Sequence, residues 1–126
     1  MAYSITPENA GKYILIQVKG NIERHEAMQL VMEAYELGKE LRIQNYLVDA
    51  TEVSHSWSVM DDYNFINKEL QNSDNIRKAR PFTRTALLLS RNDSSYDFFI
   101  TAARNRGLNI RLFDDREKGV AFLVRT

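Results

Sequence analysis

The chain has 126 residues, 44% hydrophobic and 27% charged, with 17 basic and 17 acidic side chains and no cysteine. That length suits one core burying roughly two-thirds of the surface the unfolded chain exposes, and proline and glycine are too scarce for a disordered chain. Balanced charge supplies no long-range field toward nucleic acid or anionic lipid, and the missing cysteine excludes disulfides, thiolate catalysis and cysteine-based zinc sites.

The opening residues carry neither a basic segment nor a long apolar run, and nothing approaches the ~20 apolar residues of a membrane span. A cytoplasmic location and a single domain over residues 1–126 are expected.

Residues 3–6 form a short β-type run, residues 7–11 supply turn chemistry, and residues 12–19 form a stronger run, together an antiparallel hairpin. In the second run Ile14, Ile16 and Val18 alternate with Tyr13, Leu15 and Gln17, which predicts one core face and one mixed face. Gly20 and Asn21 end it. From 23 to 41, Ala27, Met28, Val31, Ala34, Tyr35, Gly38 and Leu41 recur at three- and four-residue spacing, predicting an amphipathic helix. Gly38 costs roughly 1 kcal/mol against alanine inside a helix, which points to close helix–sheet approach there.

Residues 46–49 read as a strand covered on both faces, followed by a polar loop. Val59, Tyr63, Ile66 and Leu70 mark a second helix opened by Ser58 and Asp61 and ending near Ser73. The continuous apolar run 85–89 is the best central-strand candidate. A third helix, capped by Asp93 or Ser94, turns Tyr96, Phe99, Ile100 and Ala103 inward and stops at Gly107. Residues 109–113 suit a strand nearer the sheet edge, and a capping box over 114–117 opens a last helix with Val120, Leu123 and Val124 toward the sheet. The fold expected is α/β: a mixed, mostly parallel five-stranded sheet with about four helices and right-handed crossovers.

The opening hairpin, the Gly20-Asn21-Ile22 entry to a long helix, the strand Leu47-Val48-Asp49, and the tail Ile110-Arg111-Leu112-Phe113-Asp114-Asp115 with Ala121-Phe122-Leu123 resemble the bacterial SpoIIAA-like (STAS-like) family. Gly119 stands where alanine is more usual in that family. The resemblance spans the chain and implies a fold rather than an activity. It also implies a phosphorylatable serine opening the helix after the central strand, a place that falls on Ser58. Trp57 replaces the family's preceding Asp and Val59-Met60 its small residues, so the kinase-recognition pattern is broken, and the preferred reading of Ser58 is an N-cap serine that satisfies a backbone N–H.

Ligands of open α/β sheets bind beyond the C-terminal ends of the strands, which makes the polar stretch 49–58 the expected site. Asp49, His55, Trp57, Ser58 and Tyr63 are its candidate binding residues. His55, Asp49 and Ser54, Ser56 or Ser58 make a Ser-His-Asp set on paper, yet serines so near a histidine on one loop rarely align, and no GxSxG is present. His25 lacks an HExxH partner, and Asp49, Asp61 and Asp62 lack a calcium-loop spacing. No GxGxxG or GxxxxGK[ST] occurs. No catalytic residue, metal or cofactor is therefore expected.

The one basic cluster, 77–84, interleaves Phe82 and could hold an anion or acidic partner, but without a second basic stripe nucleic acid is not expected. Trp57, Phe82, Phe98 and Phe122 remain unassigned to helical stripes, either covering the core or forming a homodimer face or pocket. The leading expectation is a non-enzymatic regulatory or protein-interaction module. Its alternative is a small-molecule or lipid carrier with an apolar pocket closed by Trp57 and Tyr63.

Overall fold

Residues Ala2–Glu8 (β1) and Tyr13–Asn21 (β2) form the antiparallel hairpin in a computed structural model that describes residues 2–8, 10–21, 23–54, 83–90, 97–105 and 109–124. Pro7 and Glu8 belong to β1, opposite Ile14 and Tyr13, so the turn is tighter than the sequence indicates. It closes through the amides of Gly11 and Lys12, each donating to the Glu8 carbonyl at 3.1 Å, and Gly11 supplies the left-handed backbone (φ 82°) that this chain reversal requires.

Arg24–Leu41 (α1) follows, within one residue of the expected span. Glu23 is its N-cap, and a reciprocal capping box with Glu26 satisfies two amides of the first turn. Arg42, in the left-handed region at φ 59°, ends it. The remaining elements are Asn45–Ser54 (β3), Arg84–Leu88 (β4), Asp97–Asn105 (α2), Ile110–Phe113 (β5) and Arg116–Val124 (α3). The helix expected over 58–73 lies outside the described residues; the other three expected helices are present among them.

The sheet order is β1-β2-β3-β4-β5, with β1 antiparallel and the other pairings parallel. Because each strand lies beside its predecessor, right-handed crossovers put their helices on one face. Leu30 and Ala34 of α1 pack on Ile14, Ile16, Val18 and Tyr46, and Ile100 of α2 joins Ala50, Leu87 and Leu89. After the last strand α3 covers the opposite face, where Leu123 meets Tyr13, Leu15, Leu47, Ala86 and Leu88. The Asp115 carboxylate caps α3 by accepting the Glu117 amide at 2.8 Å.

Two expectations about burial change. Tyr13 and Leu15 are buried like Ile14 and Ile16, because α3 returns over the face expected to be mixed. Leu41, expected on the core stripe, is 42% exposed at the last turn of α1. Residues 84–88 form an interior strand as expected, with β3 beside them in the middle of the sheet; its Leu47 is fully buried, a burial contributing about 2–3 kcal/mol. As expected, β5 lies at an edge.

Candidate functional site

The C-terminal end of β3 is not the loop that its polar composition implies. Residues 50–54 stay in the strand, pairing with β2 as Lys19↔Glu52, Gly20↔Val53 and Asn21↔Ser54. Pairing with β4 stops at Asp49↔Leu88, so the central strand outruns its neighbour and forms a ledge. The correction has a local signal in Thr51 and Val53, β-branched residues at alternate positions.

The register shifts between Gln17↔Asp49 and Lys19↔Glu52, leaving Val18 opposite both Ala50 and Thr51. Such a bulge frees a strand amide from the ladder, and Asp49 takes it up. Its Oδ1 accepts the Thr51 backbone N–H at 3.1 Å and the Thr51 hydroxyl at 2.7 Å. Val18 and Ala50 thereby remain buried while Thr51 and Glu52 turn outward. Past the end of β4, the Ser90 hydroxyl donates to the Thr51 carbonyl at 3.0 Å and ties the ledge to the next chain segment.

Beside the ledge, Lys19 Nζ lies 3.5 Å from Glu52 Oε2 with both side chains 64% exposed, a pair contributing less than about 1 kcal/mol. Gln17 and Lys19 are exposed, as are Ser4 and Thr6 of β1 on the same sheet face, which α3 leaves open there. The start of α1 borders this rim. Glu23, His25 and Glu26 bring possible ligand atoms within 4.8 Å of one another, but both carboxylates serve the capping box, and His25 Nδ1 stands 3.4 Å from Glu23. The chain's own acids fill the helix N-terminus that would otherwise attract an anion.

Of the expected binding residues, Asp49 is placed at the root of the ledge as the acceptor that shapes it. His55, Trp57, Ser58 and Tyr63 lie outside the described residues, as do Ser56, Asp61 and Asp62. Arg84, expected in the basic cluster, is instead a half-buried strand residue whose Nη1 donates to the Phe122 carbonyl at 3.2 Å near the end of α3; residues 77–82 are outside the described set. Phe122 is half-buried, 5.7 Å from the Phe113 ring and with the Arg111 guanidinium 5.2 Å from its centroid, so it closes the core edge between β5 and α3. Trp57, Phe82 and the Phe98 side chain are not described. Where α1, α2 and α3 cover it, the sheet is packed by side chains, with Ile14, Leu47 and Leu123 below 2% exposure.

A tyrosine pair bridges α1 and β3, with Tyr46 buried and Tyr35 partly buried. The Tyr35 and Tyr46 rings are 5.2 Å apart and tilted by 54°, and burial pushes both phenols above their usual pKa. A side-chain hydrogen bond with buried Thr83 partly opposes the shift at Tyr35. This pair belongs to the core cluster beneath α1.

The order of a sequential five-stranded sheet, an antiparallel first strand and a closing helix on the second face has solved counterparts. An uncharacterised DUF3478-family protein with a SpoIIAA-like fold from Shewanella loihica PV-4 aligns with a TM-score of 0.60 over 97% of this chain and 92% of its own, at 17% identity. The anti-sigma factor antagonist SpoIIAA in its unphosphorylated form aligns with a TM-score of 0.58 over 96% of this chain and 95% of its own, at 10% identity. The chain has the SpoIIAA-like fold. No family model and no curated protein matches the sequence, so the SpoIIAA-like likeness is one of architecture. Among the described residues, no helix of this SpoIIAA-like chain is long and apolar enough to cross a membrane.

Proposed function

We propose that the chain is a non-enzymatic regulatory or protein-interaction module that docks a partner protein on the ledge of β3 and the adjoining start of α1. The observation that carries this reading is the overrun of the central strand past β4, which holds Thr51 and Glu52 outward beside exposed Gln17 and Lys19. A ledge fixed by the Asp49–Thr51 contacts and the Ser90 tether is pre-organised, so little ordering cost opposes association. The fold adds support, since one protein sharing it is an anti-sigma factor antagonist.

Affinity capture with the purified protein, followed by mass spectrometry, tests the proposal. A partner retained by the wild type and by Arg116→Glu on α3, but lost with Gln17→Arg/Glu52→Arg, supports the ledge. Identical captures by wild type and the ledge variant reject it.

A further inference from the structure

The outward side of α1 presents a second surface, toward the end of the sheet where β3 begins. Glu33, Glu36 and Glu40 are exposed and spaced by three and four residues, which lines them along one side of the helix. Glu33 accepts the Tyr3 hydroxyl at 2.6 Å, whereas no hydrogen bond or ion pair holds Glu36 or Glu40 among the described residues. Carboxylates there oppose the negative end of the helix dipole and repel one another, and Lys39 is the one basic residue of the last turn. A bound cation would relieve that repulsion.

The same surface has apolar content. Met32, Glu33, Glu36, Leu37, Lys39 and Glu40 form an open, shallow face along α1. Leu41, one turn beyond Leu37, is the large hydrophobic side chain left exposed among the described residues. An apolar strip bordered by unpaired acids complements a helix with one apolar and one basic side. A second copy is a poor occupant, because a two-fold contact of this face would bring together Glu36 and Glu40 of both copies with only Lys39 from each to offset them. Anionic lipid and nucleic acid are repelled.

We infer that the exposed face of the C-terminal half of α1 docks a cationic amphipathic helix of a partner protein, separate from the β3 ledge. Basic side chains of that helix pair with Glu36 and Glu40 while its apolar side rests on Leu37 and Leu41.

Fluorescence anisotropy with a labelled Leu/Lys amphipathic helical peptide, beside a Leu/Glu peptide of the same pattern, provides the test. The Leu/Lys peptide is expected to bind, more weakly as salt rises, and to lose about tenfold in affinity with Glu36→Lys/Glu40→Lys and severalfold with Leu41→Ser. The near-isosteric Glu36→Gln/Glu40→Gln variant, with its fold checked by circular dichroism, shows the same direction of loss. Glu8→Lys/Glu117→Lys, the same charge change elsewhere, and Glu52→Arg on the ledge leave binding intact. Equal loss in the Glu8/Glu117 variant, unchanged affinity in the Glu36/Glu40 variants, or equal binding of the Leu/Glu peptide overturns the inference. A dimer in sedimentation that Leu41→Ser dissolves overturns it too, by assigning the face to a second copy.

Discussion

A side chain on Gly38 would begin where the Tyr46 hydroxyl already stands: an added Cβ collides with Tyr46 Oη and comes within 2.7 Å of the Ile43 carbonyl oxygen. The close approach of α1 to β3 therefore rests on a residue without a side chain, and the helix bears its propensity cost in exchange for that contact. Gly38→Ala is expected to destabilise the fold by about 1–3 kcal/mol, because overpacking outweighs the gain in helix propensity. Thermal denaturation reads this as a lower midpoint. Adding Tyr46→Phe recovers only part of it, since the Ile43 carbonyl still obstructs the new carbon.

Gly119 behaves oppositely although it too is buried within a helix. Its added Cβ meets Leu47 Cδ1 at 3.5 Å, Ala86 Cβ at 3.6 Å and Phe113 Cδ2 at 3.7 Å, all ordinary contacts. Gly119→Ala is expected to stabilise the protein by about 0.5–1 kcal/mol through helix propensity and a less flexible unfolded chain. A raised midpoint in the same denaturation experiment checks it, and a lowered one would show that α3 has no room over β3 and β4.

Removing the Asp49 acceptor opens the ledge. Asp49→Ala leaves the Thr51 amide and hydroxyl without their shared partner and is expected to cost about 1–2 kcal/mol, with faster hydrogen exchange at the Thr51 amide. Asp49→Asn keeps an acceptor oxygen and loses less. If exchange at Thr51 is as slow in the alanine variant as in the wild type, the bulge is held by something else.

The buried phenols set an alkaline limit. Tyr46 and Tyr35 have folded-state pKa values raised by burial above the usual value of about 10, so the native state favours the protonated form. Their contribution is complete below pH ~10 and is lost as pH rises beyond that value toward the raised folded values. Urea unfolding between pH 8 and 12 is expected to show stability falling above pH ~10, with a shallower fall in Tyr46→Phe. Tyr3, at the surface, is raised by its hydrogen bond to Glu33, and Tyr3→Phe leaves the slope nearly unchanged.

Much of the architecture is legible in local pattern. The spacing from Ala27 to Gly38 locates α1 within a residue, and alternation over Ile14, Ile16 and Val18 identifies the face beneath it. The cost of glycine at 38 points to the close approach that Tyr46 makes concrete. Less of the site can be read this way. Asp49 is found at the end of a pairing, but its role as bulge acceptor depends on Val18 of another strand. That Leu41 is left exposed beside Glu36 and Glu40 is seen only in the folded chain.

Periodicity alone determines which segments become helices or strands and which side of each seeks apolar company, because both are properties of a few consecutive residues. Tertiary structure decides where strands stop and how many sides they bury, since a ladder continues only while a neighbour offers backbone groups. Residues 50–54 remain strand because Lys19, Gly20 and Asn21 lie alongside, and Tyr13 and Leu15 are buried because α3 returns over them. Those partners are distant in sequence, and the ledge exists only once the chain has brought them together.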